Sequence, residues 1–228
     1  MDIKNLILII VAAINFLMAT IILLKNRRSP VNISFALFFY SASLWTFAIS
    51  MFMCTLDMNA AVAWARIYYF ASAVIAIAFL LFANYYLYKL YELDIIKIFY
   101  FLLPLLVVTF VIFHPTLLIE NATHHSWGND ANEKLFGHLI FTVYFFSYVI
   151  WAYIILFKKL KNSEGINRKN LSLVIAGTML SYIFGISFDL ILPLLGEYRY
   201  IWIGPGFTVV ALIFLTYLIF YKPIKIIK

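Results

Sequence analysis

Arg66 and Asp189 are ionisable side chains that fall inside long apolar stretches, where a charge is costly. Within a membrane such residues usually face the interior of a helix bundle or a cavity, and they are candidate functional sites. Measured from the ends of their predicted helices, both lie about 8–9 Å below the same membrane surface. We therefore expect them to line an outer ligand cavity, where opposite charges lower each other's burial cost. Alternatively, Arg66 reaches the lipid headgroups and Asp189 finds a backbone or tyrosine partner.

The surroundings of Asp189 favour a position that faces protein rather than lipid. Gly177, Ser181, Gly185 and Asp189 recur at every fourth position, which places small and polar groups on one stripe of a helix. Small residues let neighbouring helices approach closely in lipid, so ordinary packing also explains the glycines. The candidate aromatic walls of the cavity are Tyr69, Tyr182 and Trp202.

Four residues near the tops of the last two predicted helices are candidate hinges. Proline lacks the backbone donor of a helix and clashes with the preceding turn, so each proline predicts a loosened turn. Irregular backbone at membrane depth is tolerated where it is buried in protein or lines a cavity. Ordinary prolines at helix ends are the competing interpretation. The candidates are Pro193, Gly204, Pro205 and Gly206.

All four histidines are predicted to lie on the outer side, together with several carboxylates. Imidazole and carboxylate groups could hold zinc or respond to pH, but their spacing matches no metal signature. We therefore predict plain loop residues and no metal site. The histidines are His114, His124, His125 and His138, and the carboxylates are Glu120, Asp130 and Glu133.

The composition indicates which elements must position these side chains. Apolar residues form 65% of the 228-residue chain and charged residues 12%, against about 45–50% and about 25% in soluble domains. A soluble enzyme, a disordered chain, a collagen and a disulfide scaffold are thereby excluded. Seven stretches have the roughly 20 apolar residues that a membrane helix needs. They predict an all-α, polytopic bundle of seven transmembrane helices in one domain, residues 1–228. The predicted helices are approximately 3–24, 31–53, 61–88, 96–113, 135–157, 171–195 and 200–221.

The distribution of Lys and Arg predicts the orientation of the chain. Of 17 such residues, 13 follow predicted helices one, three, five and seven, 3 fall on the other side, and Arg66 lies within predicted helix three. Because cytoplasmic loops are enriched in these residues, we expect the N-terminus outside and the C-terminus in the cytoplasm. The longest connection, residues 114–134, then lies outside, and a loop of that length is usually functional or disordered. The first apolar run is longer than a typical signal-peptide core, so we expect it to be retained.

Several kinds of chemistry lack their sequence signature. The chain contains no glycine-rich phosphate loop, zinc-protease helix or nucleophile elbow, so we expect no catalytic residue and no cofactor. A retinal protein needs a lysine within its last helix, whereas the first lysine there is Lys222, at the predicted cytoplasmic edge. A net charge of +7 on a membrane chain reflects its cytoplasmic loops, so we expect no nucleic-acid partner.

Several short motifs follow one another along the chain in a characteristic order. They are Ala63-Trp64-Ala65-Arg66-Ile67-Tyr68-Tyr69, then His125 and Trp127, then Gly137 and Tyr144, then Lys161-Asn162-Ser163-Glu164-Gly165 with Arg168, and finally Leu192-Pro193-Leu194-Leu195-Gly196 and Gly204-Pro205. In order and spacing they resemble the seven-helix N-terminal sensory region of bacterial histidine kinases. The resemblance runs through nearly the whole chain.

The resemblance implies a non-catalytic sensor in a bacterial cell membrane. Such a sensor relays an extracellular or membrane-borne stimulus, an unknown small molecule or lipid, to a cytoplasmic histidine kinase or another output domain. Residues 1–228 contain no phosphorylatable dimerisation helix and no ATP-binding lid, so the output domain is expected in cis or in trans. Whether the chain forms a homodimer is left open. The alternative function is a small-solute or lipid transporter, but no internal repeat or deeper charge relay is evident.

Overall fold

The computed structural model describes residues 2–92, 95–209 and 215–216, with the backbone alone at residues 95–98 and 100. Most of these residues belong to long helices and one β-hairpin. The helices are α1 (Ile3–Lys25), α2 (Pro30–Cys54), α3 (Met58–Tyr85), α4 (Ile95–Phe113), α5 (Leu135–Lys161) and α6 (Gly165–Ile186), and the strands are β1 (Ile119–His125) and β2 (Gly128–Glu133). Helix α6 continues through a π-helical turn, Ser187–Ile191, to Leu194, and a 3₁₀ turn covers Tyr198–Tyr200.

Five helices in the described part of the chain are long and apolar enough to cross a bilayer: α1, α2, α3, α5 and the continuous helix Gly165–Leu194. The predicted fourth span corresponds to α4, whose described apolar run is the shorter Phe101–Phe113. Of the predicted seventh span, residues 201–205 form turns and residues 206–209 are helical. Residues 210–214 and 217–228, with the predicted cytoplasmic Lys222, lie outside the described residues.

The starts of α2 and α3 follow local capping chemistry. The Ser29 hydroxyl accepts a hydrogen bond from the Asn32 amide at 3.4 Å, and Pro30 takes the first helical position, where a proline removes no helical bond. The Asp57 carboxylate accepts from the Asn59 amide at 3.0 Å in the same way. These caps let the chain reverse within a few residues, so α1, α2 and α3 are neighbouring antiparallel helices.

Helices α2 and α3 form the centre of the bundle. On α3 a series of fully buried alanines, including Ala65, Ala76 and Ala83, lets the neighbouring helices approach closely. In contrast, the outer faces of α1, α4 and α5 expose large apolar side chains such as Leu17, Phe110 and Ile154. An apolar exterior of this extent is suited to contact with lipid.

The connection between α4 and α5 forms an antiparallel hairpin, so the prediction of an all-α fold is wrong for this segment. His125 pairs with Gly128, which leaves Ser126 and Trp127 as the turn between the strands. Gly128 has a φ of 141°, a conformation that favours glycine. This segment is too polar for a membrane helix, and strand pairing satisfies its backbone groups locally.

The hairpin lies on one end of the bundle, formed by the C-terminus of α2 and the N-termini of α3 and α5, which we call the hairpin end. The Asn129 amide donates to the carbonyls of Phe52 at 2.6 Å and Thr55 at 2.7 Å, where α2 ends. A Cβ on Gly137 of α5 would lie 2.7 Å from the backbone carbon of Leu117. The long connection is therefore ordered and attached to two helices.

At the opposite end of the bundle, which we call the lysine end, a lysine is buried. Lys159 is one of the lysines that follow the predicted fifth helix, which places it in a cytoplasmic loop, but it lies in α5 and is 0% exposed. The carbonyls at the end of a helix lack intrahelical partners and carry partial negative charge, so an ammonium group satisfies them well. The Lys159 ammonium lies 2.5–2.8 Å from four carbonyl oxygens that end α3 and begin the next turn, and its three N–H groups are shared among them. These carbonyls belong to Ala83, Asn84, Tyr86 and Tyr88.

Candidate functional site

A cavity of about 70 Å³ lies among α2, α3, α5 and α6, below the hairpin end. Three of the five predicted ligand-binding residues line it: Tyr69, Tyr182 and Asp189. Arg66 and Trp202 lie outside its lining. The stripe predicted on α6 faces the cavity through Ser181, Gly185 and Asp189. Besides Tyr69 and Tyr182, the aromatic residues of the wall are Phe38, Trp45, Tyr68, Phe141 and Phe145.

Asp189 lies in the π-helical turn that follows α6. In a regular α-helix the ring of Pro193 would clash with the Asp189 carbonyl, whereas here the Leu192 amide donates to the Ser187 carbonyl five residues back. Asp189 is only 9% exposed, and neither carboxylate oxygen has a hydrogen-bond partner in the described part of the chain. Turns of this kind frequently occur at functional sites.

Gly204 packs directly against the Asp189 carboxylate. A Cβ on residue 204 would overlap the Asp189 Oδ2 atom and lie 2.7 Å from its Cγ atom, whereas Gly206 has open space around it. Immediately after Pro205 the chain becomes helical, and the Thr208 amide donates to the Pro205 carbonyl at 3.1 Å. The candidate hinge residues Gly204, Pro205 and Gly206 thus join Asp189 to the helical residues 206–209.

The helical residues 206–209 contact two other helices. The Ser181 hydroxyl of α6 donates to the Phe207 carbonyl at 2.5 Å, and the Phe207 ring stacks on Phe184. The Asn15 amide of α1 donates to the Thr208 hydroxyl at 3.0 Å. Thr208, which lines the cavity, and the adjacent Phe207 are therefore held by α1 and α6 together.

Arg66 contacts the hairpin rather than the cavity. Its guanidinium donates to the carbonyls of Pro115 at 3.0 Å and Ile119 at 2.9 Å, at the base of β1. The two charges thus lie on the same side of the bundle but do not pair. Arg66 satisfies backbone carbonyls of the hairpin, and the Asp189 carboxyl group in the cavity has no ion-pair partner among the described residues.

A buried polar cluster above the cavity was missed by the sequence analysis. Oε1 of Glu133 accepts hydrogen bonds from the Tyr69 hydroxyl at 2.5 Å and from the Tyr198 hydroxyl, and Oε2 lies 2.5 Å from Nδ1 of His138. The Glu133 side chain is 6% exposed and that of His138 is 1% exposed. The prediction of plain loop residues is therefore wrong for Glu133 and His138. We call Glu133, His138, Tyr69 and Tyr198 the Glu133 cluster.

The Glu133 cluster joins four parts of the structure: β2, α3, α5 and the connection after α6. Burial raises the pKa of the Tyr198 hydroxyl well above its usual value, and the neighbouring Tyr68 and Glu133 add to the effect. Tyr198 therefore stays protonated and serves as a donor. Because Tyr69 both donates to Glu133 and lines the cavity, the cluster and the cavity are contiguous.

The other outer polar residues form exposed contacts along the hairpin. His125 Nε2 lies 2.8 Å from the Asp130 carboxylate, and its ring stacks on Trp127. Burial raises the pKa of Asp130, an effect that His125 partly offsets. Within the described ranges, no group of His, Cys, Asp and Glu is arranged to hold a metal ion.

Comparison with known families gives a match that covers nearly the whole chain. A family model described as the N-terminal 7TM region of histidine kinase matches residues 7–227. No curated protein matches the sequence.

Proposed function

The chain belongs to the family of N-terminal 7TM regions of histidine kinases, and from this premise we propose that it is the input module of a two-component system. With its apolar helices it is a multi-pass membrane protein, and its family works with a kinase output domain. Stimulus recognition takes place in residues 1–228. Phosphoryl transfer takes place in the output domain, in cis or in trans, and the input module itself is non-catalytic.

In this proposal the hairpin end faces outward from a bacterial cell membrane and the lysine end faces the cytoplasm. The support is the distribution of Lys and Arg, most of which are predicted on the same side of the membrane as the lysine end. Cytoplasmic loops are enriched in these residues. The single domain has seven spans, the last of which continues from residues 206–209 toward the output domain. Helix seven is then the direct route from the cavity to the cytoplasm.

The stimulus binds in the cavity beside Asp189. The observation that carries this proposal is a buried carboxylate without a partner in the described part of the chain, facing a cavity with aromatic walls. A charge of this kind in a membrane is costly and usually marks a functional site. Tyr69 and Tyr182 form walls of the site, while Arg66 acts as a positioning residue through the hairpin.

The response depends on the contact between Asp189 and Gly204. A ligand shifts a conformational equilibrium only by its difference in affinity for two states. A ligand that engages the carboxylate changes the group against which Gly204 packs, and thereby favours a different position of the last helix. The π-helical turn and Pro193 supply the loosened backbone that such a movement needs.

The test is the output activity of cells that carry the chain joined to a histidine-kinase output domain and a transcriptional reporter. We expect Asp189→Asn and Tyr182→Phe to change reporter output severalfold at an unchanged amount of protein in the membrane. The matched control is Glu120→Gln on the exposed face of the hairpin, which should leave the output at the wild-type level.

An unchanged reporter output in both cavity variants would contradict the proposal. The transporter alternative predicts a different result, because solute uptake in the absence of any output domain would then depend on Asp189. Uptake is therefore measured in the same cells with the output domain deleted, and the sensor proposal predicts none.

A further inference from the structure

The chemistry of the cavity indicates the charge of its ligand. A buried ionised carboxylate costs several kcal/mol unless it is paired or neutralised. Neither oxygen of Asp189 has a partner in the described part of the chain, and Arg66, the opposite charge that the sequence predicts beside it, donates to hairpin carbonyls instead. Among the residues that the structure describes, the lining contains no lysine, arginine or histidine. A ligand that brings a positive charge would supply the missing partner.

The hydroxyl groups of the lining mostly present acceptors. The protons of four hydroxyls are already donated to backbone carbonyls, at 2.6–2.8 Å for Ser72, Thr178 and Thr208 and at 2.5 Å for Ser181. Thr178 and Thr208 also accept, from the Tyr153 hydroxyl at 3.2 Å and from the Asn15 amide at 3.0 Å, so each of the four oxygens retains at least one lone pair among the described contacts. The Tyr182 hydroxyl has no hydrogen-bond partner among the described residues, and a phenol can donate or accept. The set suits a ligand that donates hydrogen bonds.

The walls of the cavity add to this preference. Aromatic ring faces carry negative electrostatic potential and attract cations, more strongly when the cation is desolvated. Trp45, Tyr68 and Tyr182 lie around the same space as the Asp189 carboxylate. A carboxylate surrounded by aromatic rings is suited to an organic ammonium ion, whereas a bare metal ion prefers a shell of oxygen ligands.

The volume limits the size of the ligand. At about 70 Å³ the cavity exceeds the roughly 30 Å³ that one water occupies in the liquid and is about half the size of a cavity that accepts benzene. It therefore has room for a group of about two to four non-hydrogen atoms. A short primary amine fits, as does the ammonium end of a longer molecule.

We propose that the cavity binds a small organic ammonium group, held by a salt bridge to Asp189 and by the aromatic rings around it. This inference rests on the proposed sensory function and adds the chemical class of the ligand. Binding neutralises the carboxylate against which Gly204 packs. In this way ligand binding changes the position of the helical residues that follow Gly204.

The test is thermal unfolding of the purified chain in detergent with ethylammonium chloride as the probe. Sodium chloride at equal concentration controls for ionic strength and for a metal ion, ethanol controls for a neutral group of similar size, and tetrapropylammonium exceeds the cavity. We expect a saturable rise in Tm with ethylammonium alone. In Asp189→Asn the apparent affinity should fall at least tenfold, while Asp130→Asn on the hairpin should match the wild type.

The comparison of probes on the wild-type chain decides the question even if Asp189→Asn does not fold. An equal rise with sodium would overturn the proposal in favour of a metal ion, and an equal rise with ethanol in favour of a neutral ligand. No saturable rise with ethylammonium would overturn it as well. In each of these cases the sensory function is tested separately, by the reporter output of the cavity variants. Failure of the ligand proposal can therefore be distinguished from failure of the proposed sensory function.

Discussion

Gly204 lies so close to Asp189 that residue 204 can carry no side chain unless the carboxylate moves. The contact joins the only π-helical turn in the described part of the chain to the helical residues 206–209. The position of the buried carboxyl group and the position of residues 206–209 are therefore coupled. This coupling is the physical basis for the first prediction.

Gly204→Ala should displace the Asp189 carboxylate and destabilise the protein. Overpacking of a close contact typically costs about 1–3 kcal/mol. The measurement is the free energy of unfolding in mixed micelles. Gly206→Ala is the matched control, two residues away in open space, and it should fall within about 0.5 kcal/mol of the wild type. Equal effects of the two substitutions would show that the contact does not constrain residue 204.

Glu133→Gln should destabilise the hairpin end. The substitution keeps the shape of the side chain but removes the charge that Tyr69, Tyr198 and His138 contact, and hydrogen bonds to charged groups contribute about 1.5–3 kcal/mol. Unfolding monitored by tyrosine absorbance measures the loss.

Glu120→Gln is the control for Glu133→Gln, because Glu120 pairs with Lys134 on the exposed face of the same hairpin. Exposed pairs contribute about 0–1 kcal/mol. A loss for Glu133→Gln no larger than that of the control would mean that the Glu133 cluster does not stabilise the fold.

Lys159→Met should destabilise the lysine end severely. Four carbonyls at the end of α3 and in the next turn lose their ammonium donor inside the protein, for which we expect a loss of at least about 3 kcal/mol. Lys161→Met removes the same charge two residues later from an exposed position, and it should have little effect. The yield of folded protein after purification and its Tm separate the two variants.

Cys54 should react with a membrane-impermeant maleimide added to intact cells. It is the only cysteine of the chain, it is exposed, and it ends α2 at the hairpin end, which we propose to lie outside. The control combines Cys54→Ser with Lys161→Cys at the lysine end and should react only after the cells are permeabilised. The reverse pattern would invert the proposed orientation.

The helices were predictable because their cause is local. A run of about 20 apolar residues forms a membrane helix whatever lies next to it. The structure places helices over six of the seven predicted runs, with bounds that differ by several residues; α5 extends to Lys161, past the predicted residue 157. The short motifs predicted the family, and the family match over residues 7–227 confirms it.

The partners of the polar residues were not predictable, because they come from distant parts of the chain. Arg66 meets backbone carbonyls 49 and 53 residues away, whose positions depend on how the hairpin folds. Glu133 meets Tyr198 across 65 residues. The burial of Lys159 has no signal in the sequence, because the groups around its ammonium are backbone carbonyls, which every residue carries.

The hairpin is tied to α2 by Asn129, to α3 by Arg66 and to the segment after α6 through Glu133 and Tyr198. Ser126, at its tip, is exposed. A spin label at Ser126 would therefore move together with the hairpin. A change in its orientation would report rearrangements of the helices inside the bilayer, although the label itself lies outside the helices.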